Sequence, residues 1–107
     1  MALQELQFSF PPTGVRTIPA GWSHTGVVGS GDMEVLMRYE KLNGSVNIKV
    51  RTPVKGFDEV WKKVLGRFVF ETGLTDAYIE INDNNATPFI VALRMKQALS
   101  EALGGTE

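Results

Sequence analysis

The hydrophobic period of the chain changes at Pro53, and that change limits the possible folds more than any other feature. Before it, apolar residues recur at every second position: Leu6, Phe8 and Phe10 near the start, then Val46, Ile48 and Val50. Such alternation marks strands with one face buried. Beyond it, Phe57, Val60, Trp61, Val64, Leu65, Phe68 and Val69 fall at helical spacing, with Asp58, Glu59, Lys62, Lys63 and Arg67 on the other side. A chain carrying both patterns must lay helices over a sheet face.

The remaining punctuation sets the element order. Residues 3–10 read as a half-buried strand that Pro11 and Pro12 must end, since neither can donate to a ladder. Residues 13–21, with Gly14 and Pro19, read as loop or irregular edge. Residues 22–28 and 33–40 are strand-like, separated by the tight-turn composition Gly29-Ser30-Gly31-Asp32. Asn43-Gly44 is a turn of the kind favoured in two-residue hairpins, and it leads into a strand over 45–52. Gly56 precedes the first helix, and Gly73 is placed to end it as a left-handed residue. Residues 76–82 form a further strand, with Ala77, Ile79 and Ile81 on one side, and the polar cluster 82–85 turns the chain. Thr87-Pro88 has the form of an N-cap followed by proline at the first helical position. The second helix should run to about Leu103 and stop at Gly104-Gly105. The expected architecture is α+β: a largely antiparallel sheet of about five strands with two helices packed on it, residues 1–107 forming a single domain.

Composition excludes several classes. Eleven Lys+Arg against twelve Asp+Glu give a net charge of −1, and no basic run is present, so no nucleic-acid partner is expected. The absence of cysteine rules out disulfides and thiolate metal sites. Residues 1–10 carry Gln4 and Glu5 in place of a basic segment and an apolar run, which is not the pattern of a signal peptide. No apolar stretch approaches the roughly 20 residues of a membrane span. The expectation is a cytoplasmic protein with no membrane association.

Catalytic patterns are equally scarce. Ser30 has Val28 and Asp32 where a hydrolase elbow needs glycines. His24 is the only histidine; it reads as a strand residue, solvated or bonded to a neighbour, and a hydrolase pairing it with Ser30 is a separate class to be tested. Asp83 and Asn85 begin like a calcium loop but lack its glycine and closing glutamate, so they read as loop and helix cap. Glu34 and Glu40 on a strand, and Glu59, Glu71 and Glu101 on helices, read as solvated carboxylates. Trp61 and Phe68 are core anchors; Arg94 and Lys96 read as the polar face of the last helix. No catalytic or metal-binding set emerges. What remains is Ser30 itself, a small hydroxyl residue between Gly29 and Gly31 on a turn joining two strands. Such a hydroxyl is open to a modifying enzyme bringing a bulky donor, although a plain hairpin turn has the same composition.

The segment Val27-Val28-Gly29-Ser30-Gly31-Asp32-Met33-Glu34-Val35-Leu36 resembles the region around the modified serine of malonate decarboxylase acyl-carrier (delta) subunits. Residues 51–57, Val60-Trp61 and Val64-Leu65 are similar to that family's central strand and helix. Residues 79–88 and 91–94 are similar to its carboxy-terminal signature, while residues 11–22 match least. The resemblance implies a non-catalytic carrier with 2′-(5″-phosphoribosyl)-3′-dephospho-CoA attached to Ser30 by a phosphodiester, within the flanking turn Gly29, Gly31 and Asp32. The arm would carry acetyl and malonyl thioesters. Implied partners are the acyltransferase and decarboxylase subunits and an arm-loading transferase; the isolated chain would be a monomer. Asp32 would hold turn amides or assist loading. The alternatives are the citrate lyase acyl-carrier (gamma) chain, which bears the same arm, and an unmodified interaction module. Carriers of the helical-bundle type, with Asp-Ser-Leu before a helix, are not implied by Ser30-Gly31-Asp32.

Overall fold

A computed structural model describes residues 3–104. The elements are β1 (Gln4–Phe10), β2 (Trp22–Gly26), β3 (Asp32–Tyr39), β4 (Val46–Thr52), α1 (Asp58–Thr72), β5 (Ala77–Asn84) and α2 (Pro88–Ala102). The five strands form one sheet in the order β1-β4-β5-β3-β2. Both helices pack on the same face, where the alternate positions of the central strands point: Met33, Val35 and Met37; Val46, Ile48 and Val50; Ala77, Ile79 and Ile81. Trp61, Leu65, Phe68 and Val69 of α1, and Val91, Met95, Ala98 and Leu99 of α2, close this core. The α+β class, the five strands and the two covering helices are as the hydrophobic periods require.

The sheet is mixed, however, where a largely antiparallel one was expected. β4 and β5 pair in parallel, with Ile48 opposite Ile79 and Val50 opposite Ile81. The physical reason lies in α1. A helix between two strands returns the chain to its starting end, so the second strand runs in the same direction as the first. For the same reason Asn43-Gly44 does not close a hairpin: β5 lies between β3 and β4 and pairs with both. The carboxy-terminal ends of β4 and β5, the start of β3 and the start of α2 consequently meet at one end of the sheet.

Helix termini follow the sequence signals. Gly73 takes φ 68 and donates to Val69 O at 3.0 Å, ending α1. Thr87 Oγ1 accepts from Ile90 N at 3.3 Å ahead of Pro88. Gly104, at φ 110, follows α2; Gly105 lies outside the described residues. β2 ends at Gly26, two residues earlier than alternation suggests. There φ is +82 and a Cβ would stand 2.2 Å from Met33 O. Val27 and Val28, 61% and 53% exposed, belong to the loop. β5 extends through Asn84, taking Asp83 and Asn84 from the polar cluster expected to turn. Residues 11–21 cross from one sheet edge to the other, held by a parallel bridge between Arg16 and Leu74, and they bury Ile18. Among the described residues no helix is long and apolar enough to cross a membrane.

Candidate functional site

The loop 27–31 joins β2 to β3 and closes with a four-residue turn. Asp32 N donates to Gly29 O at 3.0 Å, and Gly31 has φ +75. Positive φ at the third residue is the mark of a type II turn and favours glycine. Ser30 therefore occupies the second position, and it is exposed. A Cβ on Gly31 would meet nothing within 4 Å; one on Gly29 would meet only Val27 Cγ2 at 3.6 Å. The expected pairing of an exposed hydroxyl with uncrowded flanks is present. The two glycines differ: Gly31 is required by backbone conformation, whereas Gly29 has no positive φ.

The turn is fixed to the body of the protein at two points. Gly31 N donates to Asn84 O, at the end of β5, at 2.8 Å. Asp32 receives both arms of Arg94 from the middle of α2, Nε to Oδ1 at 2.8 Å and Nη2 to Oδ2 at 2.7 Å. Its Oδ1 also accepts from Met33 N at 2.7 Å. The Arg94 bonds, with that amide, hold the Asp32 carboxyl below the usual aspartate range. A two-pronged guanidinium–carboxylate pair fixes orientation as well as distance. Arg94 is thus not simply part of a polar helix face, the role its sequence spacing suggested; it is the partner of Asp32. Its Nη1 continues to Gln97 Oε1 at 2.6 Å.

A second polar network lies on the sheet face away from the helices. His24 Nε2 donates to Glu34 Oε2 at 2.8 Å, and Asn82 Nδ2 donates to Glu34 Oε1 at 2.8 Å. Nε2 must carry the proton, because an ionised carboxylate only accepts. Asn82, then His24, lower the Glu34 pKa. His24 is bonded to a neighbour, as expected for a strand histidine, and its Nε2 is engaged by Glu34 rather than by Ser30. Glu34 is accordingly not a merely solvated carboxylate. Asp83 is buried and spent on the loop, accepting from Thr52 Oγ1 at 2.8 Å and Ala86 N at 2.9 Å. This is the structural use expected of the 82–85 cluster.

A cleft of about 190 Å³ opens between the amino-terminal ends of α1 and α2, bordered by Val54, Phe57, Trp61, Ala86 and Val91. Phe57 and Val60 line it and are 49% and 38% exposed, although their spacing had assigned them to the core.

Comparison with known proteins shows the family of the chain. The sequence model described as malonate decarboxylase delta subunit matches residues 22–102, a span from the start of β2 to the end of α2. The chain belongs to this family. It is 51% identical over 100 residues to the malonate decarboxylase acyl carrier protein of Malonomonas rubra, covering 94% of this chain and 89% of that one. It is 40% identical to the protein of the same name from Xanthomonas euvesicatoria pv. vesicatoria, over 98% of this chain and 99% of the other. A chain in the crystal structure of a Pseudomonas malonate decarboxylase hetero-tetramer in complex with malonate superposes with a TM-score of 0.81 at 33% identity, covering 92% of this chain and 98% of that one. Ser30, Asp32 and Arg94 all fall within the matched span.

Proposed function

We propose that the chain is the acyl-carrier subunit of a malonate decarboxylase, with 2′-(5″-phosphoribosyl)-3′-dephospho-CoA joined to Ser30 Oγ through a phosphodiester. The observation that carries this reading is an exposed serine at the second position of a turn whose flanks are bare and whose base is anchored. The residues present fit the group. The glycines beside the hydroxyl stand in open surroundings: a Cβ on Gly31 would meet nothing within 4 Å, and one on Gly29 only Val27 Cγ2 at 3.6 Å. When bound, the group supplies the thiol on which acyl units are held as thioesters.

The work of the chain's own residues is presentation. Ser30 offers the hydroxyl; Gly31 supplies the positive φ that turns it outward; Asn84 O and Arg94 hold the turn against the body. A covalent tether on a small subunit raises the local concentration of its cargo at every active site it can reach. That logic fits relatives named acyl carrier proteins and a structural neighbour from a hetero-tetramer. The partners proposed are the acyltransferase and decarboxylase subunits and the transferase that loads the arm, docking around the turn. On this reading the chain itself is a carrier and contributes no catalytic group.

The test is the intact mass of protein isolated from a host that makes the whole complex, followed by location of the modified peptide. One added mass on the peptide containing Ser30 is expected. Ser30→Ala should abolish both the added mass and malonate decarboxylation by the assembled complex, with unfolding unchanged, because an exposed turn hydroxyl contributes little stability. A Ser30→Ala complex that still turned over malonate would refute the assignment.

A further inference from the structure

The loop bearing Ser30 has little to hold it in place by itself. Val27, Val28, Ser30 and Gly31 are all exposed, so no apolar contact fixes the conformation from within. Beyond the single backbone bond from Gly31 N to Asn84 O at 2.8 Å, its order comes from its two feet, Gly26 and Asp32, and one side chain lies against both. The Cβ position of Gly26 is 3.4 Å from Arg94 Cδ, so the aliphatic stem of Arg94 passes under the entry to the loop. The guanidinium grips Asp32 at the exit with bonds of 2.8 and 2.7 Å. Both partners are largely shielded, at 25% and 21% exposure. Arg94 stands in the middle of α2, whose flanking positions Val91, Met95 and Ala98 are buried in the core. The foothold is therefore rigid.

We propose that Arg94 is the positioning residue of the attachment site, acting through Asp32 to hold the Ser30 turn in the single conformation that the arm-loading transferase accepts. The inference rests on the reading of Ser30 as the attachment point. Arg94 does not meet the hydroxyl; it determines how often the turn is in the competent form. When only a fraction of the carrier is competent, the apparent affinity of its partner falls by that fraction, while the rate at saturation is preserved. A planar two-pronged fork is needed for this, so lysine, a point charge, is an incomplete substitute.

The test compares wild type, Arg94→Met, Arg94→Lys, Asp32→Asn and the Arg94→Met/Asp32→Asn pair. Amide hydrogen exchange is read on the purified chains, and loading is assayed with purified transferase and its nucleotide donor at varied carrier concentration. In Arg94→Met the Gly31 and Asp32 amides should exchange at least tenfold faster, roughly, with the β3 core amides unchanged, because only the local opening is altered. The KM for carrier should rise about five- to tenfold with kcat within about twofold, as the population argument requires. Arg94→Lys should recover part of both effects, and the pair should be no worse than Arg94→Met alone, since the two residues act as one unit. Unchanged exchange at Gly31 and Asp32, a fall in kcat at constant KM, or multiplying effects in the pair would each overturn the proposal. Should Arg94→Met fail to fold, Arg94→Lys and Asp32→Asn carry the same readouts. If wild type takes no arm at Ser30, the carrier reading fails, and the exchange rates still decide whether Arg94 holds the turn.

Discussion

β3 has a glycine-containing turn at each end, and the two are built around single aspartates used in opposite ways. At its far end, Asn43 and Gly44 both take positive φ, 56 and 87, and Ser45 N bonds Leu42 O at 3.0 Å. One oxygen of Asp76, Oδ1, accepts from Leu42 N and Gly44 N, each at 2.8 Å. The carboxylate plugs the turn from below and is satisfied by backbone alone. At the near end, Asp32 takes one backbone amide and gives its remaining capacity to Arg94. At the Asn43-Gly44 turn a carboxylate from outside takes the turn's own amides and so fills its interior. At the other turn the carboxylate belongs to the turn and is held at its base by Arg94, which leaves the apex empty, and the apex here is Ser30. Similar local chemistry thus makes a structural corner in one place and a display platform in the other.

The comparison can be broken most forcefully at Asp76. Asp76→Ala strands two amides, whereas Asp32→Ala strands one and leaves Arg94 partly reachable by water. Asp76→Ala should lower Tm by roughly 5–10 °C, and Asp32→Ala by about half that, as unsatisfied donors of this number would require; equal losses by thermal unfolding would show the two turns to be equivalent. The glycines come next. Gly31→Val should cost about 1–2 kcal/mol because a left-handed β-branched residue is strained, measured by urea unfolding. Gly29→Val, at a half-buried position with no positive φ and room for a Cβ, should cost about 0.5 kcal/mol or less, the usual range where neither packing nor backbone is disturbed. Both should slow arm loading. A Gly29→Val carrier loaded at the wild-type rate would show that bare flanks are not needed.

Acid acts on both corners with the same sign. Asp76 is held below the usual aspartate range by Leu42 N, then Gly44 N; Asp32 is held there by Arg94, then Met33 N. A lowered folded-state pKa gives stability that is present above the ordinary aspartate value and lost as pH falls through the folded value. The Gly44 and Met33 amide resonances should therefore titrate together with their carboxylates in NMR spectra, below the ordinary aspartate midpoint. Midpoints at or above it would remove both anchors. Salt gives the smallest effect and the sharpest distinction. In about 1 M sodium chloride, exchange at Gly31 should rise roughly twofold by screening of a partly exposed ion pair, while exchange at Gly44 stays unchanged.

How far these features are legible in sequence depends on how local their causes are. The strands and helices, the αL residue Gly73 and the Thr87-Pro88 start are written in short-range patterns, and they occur close to their expected positions. Strand neighbours are not. Alternation in β4 and β5 shows which side is buried but not which strand lies alongside, and Asn43-Gly44 pointed to the wrong partner for β4. The strand–helix–strand order across α1 held the signal for the parallel pair. Ser30 and its glycines are contiguous and could be read directly. The Asp32–Arg94 pair spans 62 positions, and a lone arginine at an outward helical position looks like any solvated one. Ile18 was hidden likewise, because its burial comes from the Arg16–Leu74 bridge rather than from any periodicity of its own.

The place of β5 in the sheet also has a consequence for the nascent chain. This strand pairs with β3 on one side and β4 on the other, yet it is the last of the five to be synthesised. Until it emerges, β1–β4 and β2–β3 can exist only as two separate ribbons, each with an open, apolar edge facing the ribosomal milieu. Isolated two-stranded ribbons are marginal in water, and unpaired edges invite pairing with other chains. Completion of the sheet then joins segments far apart in sequence, a topology that folds slowly. Translation arrest before residue 77 should accordingly yield protease-sensitive chains, and release of a few tens of residues more should convert them to a resistant form in one cooperative step.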